Sequence, residues 1–234
     1  MTEAKWLACE EPMPMLEFLR GKASDRKLRL FAVACCRCVW EWLPEYSRKA
    51  VEIAECYADK RATRAEMSQA RKDVTIDSIV AQKSDCAMAC GEYSATWGVW
   101  EAVTGVVRTA PLAPSTPEYL RVVNAKRKTR AMHEAARRAG EQRRLAQCRT
   151  YCHILRDIFS PFRPIWVNVA VLTSTVIQLA QQMYESRDFS AMPIFADALQ
   201  DAGCDNDDIL SHCRDTKQVH VRGCWVVDLV LNKE

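Results

Sequence analysis

Apolar residues recur along most of this chain at intervals of three and four, the spacing that lines one face of an α-helix. After Ser24, a good N-cap, the stripe runs through Leu28, Phe31, Cys35, Cys38 or Val39, and Trp42. It predicts a helix to about Trp42, ended by Pro44. Ser47 is the expected cap of a second helix through Ile53, Ala54 and Tyr57. Thr63 and Glu66 stand in capping-box register ahead of Met67, Ala70 and Val74. Helical spacing continues over residues 84–108, where Gly91, Gly98 and Gly105 recur every seven positions. These glycines mark either a face for close helix packing or three unrelated weak spots.

Three prolines within residues 109–117 make the clearest linker. A long helical pattern then runs from Glu118 to about Phe159, with Gly140 a candidate kink, and Pro161 and Pro164 stop it. Residues 167–171 read as a short strand or an extended loop. Helices follow from Thr173 to Tyr184, from Pro193 to Ala202 with Gly203 as the C-terminal cap, from about Asp207, and finally to Leu231. The expected fold class is all-α, an irregular multi-helix domain with long central helices. Its expected organisation is an N-terminal helical block over residues 1–108, the linker over 109–117, and a basic helix with a C-terminal helical block over 118–234, these parts together forming one domain or two.

Composition narrows the class. Of 234 residues, 49% are hydrophobic and 27% charged, which is ordinary for a folded domain, and seven glycines are too few for a turn-rich β-fold. The net charge of +3 implies no polyanionic partner by itself. The opening residues lack the apolar core of a signal peptide and no apolar run is long enough to span a bilayer, so a cytoplasmic location without a membrane partner is expected. In that compartment the twelve cysteines stay reduced, and most occupy positions where Ala or Val would sit on a helix.

Two features carry candidate chemistry. Between Arg121 and Arg149 ten basic residues face two acids. Lys126, Arg127, Lys128, Arg130, Arg137 and Arg138 are the residues that would neutralise phosphates if the helix bound nucleic acid. They spread around the helix and no nucleic-acid motif accompanies them, so a solvated or acidic-partner-facing helix competes with that reading. The second feature is Cys204-x7-His212-Cys213-x6-His220-x3-Cys224. Cys204, His212, His220 and Cys224 supply a Cys2His2 set, and Zn2+ is the cofactor that such a set implies. Only the last spacing is as short as in a zinc finger, and Cys204 and Cys224 are also natural core positions. Cys35-Cys36-Arg37-Cys38 point apart on a helix, while Cys86/Cys90 and Cys148/Cys152 share a face but give two ligands each. Nucleophile elbows, phosphate-binding loops, dinucleotide fingerprints and His-Glu-x-x-His are absent from the chain.

The opening Met1-Thr-Glu-Ala-Lys-Trp-Leu-Ala-Cys9, the stretch from Phe18 to Arg37, Asp157-Ile-Phe, Pro161-Phe-Arg-Pro164, the run from Ala196 to Cys204 and the run from His220 to Leu229 resemble a family expanded as paralogues in planctomycete bacteria. The similarity covers the two ends of the chain. It implies a bacterial cytosolic setting and a unit whose ends pack together, and it carries no activity, cofactor or catalytic residue. The reading that fits with least strain is a non-enzymatic helical interaction or scaffold protein with a protein partner. A zinc-stabilised helical module and a nucleic-acid binder are the alternatives.

Overall fold

The computed structural model describes residues 1–80, 130–160, 162 and 166–233, and among these every regular element is helical. In chain order they are α1 (Glu3–Leu7), α2 (Pro12–Leu19), α3 (Asp25–Arg37), α4 (Glu45–Ala58), α5 (Arg64–Val80), α6 (Arg130–Ile158), α7 (Ser174–Ser186), α8 (Met192–Asp201), α9 (Asp207–Arg214) and α10 (Trp225–Val230). Short 3-10 turns lie at Trp40–Trp42 and Val169–Val171. The fold is all-α, as the periodicity requires. The linker, the three spaced glycines, Cys86, Cys90 and residues 126–128 lie outside the described residues.

Local side-chain chemistry sets most helix starts. Ser24 accepts from the Lys27 amide and Thr173 from the Val176 amide, each at 3.3 Å. Thr63 and Glu66 close their box reciprocally, at 3.3 and 2.7 Å. Gly203 takes the left-handed φ of +93° expected after α8. The structure differs from expectation at two starts and stops. Pro44, not Ser47, caps α4, and Ser47 is buried inside the helix, because Pro44 already holds the extended backbone an N-cap needs. Helix α3 ends at Arg37 rather than near Trp42, since Arg48 takes the Trp40 and Glu41 carbonyls through its guanidinium (3.1 and 3.2 Å). Helix α6 runs through Gly140 without a break, and residues 167–171 form a loop with a 3-10 turn.

Among the described residues, the buried side chains form two clusters. The first unites α1 to α5 with the C-terminal part of α6, around Leu16, Phe31, Val51, Met67, Tyr151 and Ile154. Phe162 stacks on Phe18 at 5.2 Å and meets Trp6 edge-on at 6.0 Å, so the segment after α6 docks on the N-terminal helices. The second cluster unites α7 to α10 around Met183, Phe195, Leu199, Ile209 and Val226.

Ion pairs and hydrogen bonds cross between the two cores, beside apolar contacts such as Val221 against the first core. Arg26 of α3 binds Asp228 of α10 through two bonds (2.7 and 3.2 Å), and Tyr184 of α7 donates to Asp59 at 2.6 Å. Glu55 of α4 receives Arg37, Arg187 and Arg222 together. A third cluster, around Asp157 of α6, is the candidate site.

Candidate metal centre

Asp157 occupies a helix position that periodicity assigns to the core: Tyr151, Ile154, Leu155 and Ile158 around it are all fully buried. Its side chain has no exposure, so its carboxylate must find partners inside the protein. Those partners come from the C-terminal block. The His220 ring lies with Nδ1 2.7 Å from Asp157 Oδ1, His212 Nε2 is 3.2 Å from the same oxygen, and the Val221 amide donates to Oδ2 at 2.8 Å. Burial alone would raise the Asp157 pKa, but hydrogen bonds from His212 and His220 and their charges hold it below its ordinary value.

Three local structures deliver the partners. Asn206 caps α9 by accepting from the Asp208 and Ile209 amides, and Ile209, Leu210 and Cys213 then face the second core. His212 sits one helical turn after Ile209 and reaches toward α6. The loop after α9 is tied to α6 by Gln218, whose amide donates to the His153 carbonyl at 2.8 Å. Gly223 turns the chain into α10 with φ +95°, and a Cβ there would meet Leu30 Cδ1 at 3.1 Å. Glycine is therefore required both for the turn and for the approach of this loop to α3. Cys224 follows as the residue before α10, with no exposure.

Asp157, His212, His220 and Cys224 each offer one donor atom, and these four atoms lie within 4.8 Å of one another. Cys224 Sγ is 3.3 Å from His212 Nε2 and 4.0 Å from His220 Nδ1. A tetrahedral zinc with bonds of about 2.0–2.1 Å to N or O and 2.3 Å to S separates its ligand atoms by roughly 3.3 to 3.6 Å. Four of the six separations, from 2.7 to 4.0 Å, bracket that range, and all six lie within 4.8 Å. Two neutral imidazoles, one carboxylate and one thiolate would balance a divalent cation, as a buried site requires.

Cys, His and Asp are also the residue types of a catalytic triad, and the geometry separates the two possibilities. In a triad the imidazole bridges, using one nitrogen for the nucleophile and the other for the acid. Here His212 turns the same nitrogen, Nε2, to both Cys224 and Asp157, and His220 turns Nδ1 to both. The donor atoms converge on a point instead of forming a relay. Burial also pushes the Cys224 thiol well above its usual pKa, aided by the charge of Asp157 and outweighing the Val226 and Val227 amides, the opposite of an activated nucleophile.

Three of the residues singled out by spacing, His212, His220 and Cys224, thus meet in space. Cys204 does not join them. It is buried in the second core, where its amide bonds the Leu199 carbonyl. Its place is taken by Asp157, 63 positions before His220. Outside the cluster, Trp225 Nε1 donates to His212 Nδ1 at 3.3 Å. Of the basic-helix residues, Arg137 and Arg138 are exposed and Arg130 lies on α6. Further along α6, Arg144 pairs with Glu141 and Glu11, and Arg149 with Glu10, so part of the basic stripe is neutralised by the loop before α2. No described helix is long and apolar enough to cross a membrane. No protein family, curated protein or solved structure matches the chain.

Proposed function

We propose that this chain is a non-enzymatic helical module stabilised by zinc, with Asp157, His212, His220 and Cys224 as its four ligands. The observation that carries the reading is the convergence of four donor atoms of suitable chemistry within 4.8 Å. Zinc is favoured over harder divalent cations because a thiolate and two imidazoles suit it, and over redox metals because the four donors can close a tetrahedron. A full set of protein ligands leaves no position for substrate, which is the mark of a structural rather than a catalytic zinc. The role follows from where the ligands come from. Asp157 belongs to the helix that seals the first core, and the other three belong to the block that forms the second. One bound ion would clip the two cores together across a seam that ion pairs and apolar contacts already hold.

Cobalt substitution tests this directly. Chelator-stripped protein titrated with Co(II) should saturate at one equivalent, giving tetrahedral ligand-field bands and a thiolate-to-metal charge-transfer band. Cys224→Ser should lose the charge-transfer band, whereas Cys204→Ser should keep it. An octahedral spectrum, or one unaffected by Cys224→Ser, would refute the assignment.

A further inference from the structure

A cavity of about 240 Å³ opens on the seam between the cores, distinct from the proposed zinc ligands except for the flank of His220. One face of α3 (Leu30, Val33, Ala34) with Ile154, Phe189 and Val219 makes most of it apolar. At its polar end Arg37, Arg187 and Arg222 surround the single carboxylate of Glu55. Three guanidiniums against Glu55 and the nearby Glu52 leave a surplus of one positive charge there. Arg61 also lies near Arg222 but is paired with Asp59 at 3.4 Å.

The guanidiniums are held in place by other contacts. Arg222, 7% exposed, donates to the Tyr184 and Glu185 carbonyls at 2.6 and 3.2 Å. Arg37 lies over the Trp40 ring at 4.7 Å, and its Nε–H is buried with no hydrogen-bond partner. His220 also lines the cavity. Glu55 shows what chemistry these arginines take: Arg187 grips its carboxylate through Nε and Nη2, the forked arrangement that favours planar carboxylates.

We infer that this cavity binds a small organic carboxylate, its charged end at Arg37 and Arg187 and its apolar body along α3. The volume falls below the usual range for drug-sized ligands, which fits a short-chain or single-ring acid. Glu55 acts as an internal competitor that keeps the arginines ordered when the cavity holds no ligand.

The probe is hexanoate, followed by isothermal titration and ligand-observed NMR on the full chain. Hexanoate should bind saturably with a dissociation constant below about 1 mM, consistent with the efficiency of small ligands. Hexan-1-ol, of the same length without charge, should bind at least tenfold more weakly, and inorganic phosphate should not displace hexanoate. Arg37→Gln should weaken binding about tenfold. Val219→Asp, at a 41% exposed wall position that tolerates charge, should weaken it similarly with an unchanged melt. Glu55→Gln should bind hexanoate more tightly than the parent and recover melting temperature on adding it, an effect that a purely structural arginine cluster would not produce. Equal binding of hexanol, tighter binding of phosphate, or no saturable hexanoate binding by the parent chain would each overturn the inference.

Discussion

Replacing Cys224 by Ser separates a ligand from a packing residue when it is done with and without chelator. The side chain has no exposure, and its sulfur is 3.3 Å from His212 Nε2. A serine hydroxyl is slightly smaller and keeps that imidazole as a hydrogen-bond partner, so if Cys224 only packs the cost is about 1 kcal/mol. As a zinc ligand it contributes far more. Structural zinc is worth roughly 10–16 kcal/mol in small modules, so one of four ligands accounts for about 2.5–4 kcal/mol. Free zinc at a thousand times its dissociation constant stabilises the fold by about 4 kcal/mol. For a chain of this size each kcal/mol moves the melt by about 2–4 °C. The parent protein should therefore melt about 8–16 °C lower after chelation, whereas chelation should leave Cys224→Ser nearly unmoved. Differential scanning calorimetry of both proteins in both conditions gives the four values needed. If the substitution costs the same with and without chelator, to within about 0.5 kcal/mol, the two are not coupled and Cys224 is not a ligand.

Three further outcomes follow from the same geometry. Glu55→Gln leaves three guanidiniums around a neutral group and should cost about 3 kcal/mol in urea unfolding at neutral pH. Burial alone would raise the Glu55 pKa, but Arg187, Arg37 and Arg222 hold it below its ordinary value. The stability it adds is thus full above the unfolded Glu pKa of about 4.3 and lost as pH falls through the lower folded value, so the difference from Glu55→Gln should shrink in acid. Gly223→Ala, with φ +95° and a Cβ 3.1 Å from Leu30, should destabilise by about 1–3 kcal/mol and weaken zinc binding, read by competition with a chelating dye. Trp225 donates to His212 Nδ1, yet a neutral His212 bound to metal through Nε2 carries its proton on Nδ1. Zinc loading should break that bond and change tryptophan fluorescence in the parent but much less in Trp225→Phe.

What could be read from the sequence was local. Ser24, Thr173, the Thr63–Glu66 box and Gly203 act within four residues of themselves, and each does what its chemistry predicts. Ser47 misled because a neighbouring Pro44 supplied the same start, and a hydroxyl alone does not show which of two caps prevails. The C-terminal Cys/His run pointed to His212, His220 and Cys224 because all three lie within one loop and its flanking helices. Asp157 was beyond reach by spacing, although a carboxylate at a core position between Ile154 and Ile158 was itself a signal: such a group needs a buried partner. Cys204 was an attractive fourth ligand because it is a soft donor of the right type, but its proximity in sequence is spent on packing behind α8. The seam was least accessible, since Arg26 meets Asp228 across 202 positions and no periodicity encodes such a pairing.

Metal content tests the central claim most directly. Protein purified without a metal-affinity step should carry one zinc per chain by inductively coupled plasma mass spectrometry. Asp157→Ala should abolish that zinc and Cys204→Ser should retain it. Zinc lost from Cys204→Ser but kept by Asp157→Ala, or a parent chain unable to take up zinc at all, would contradict the account.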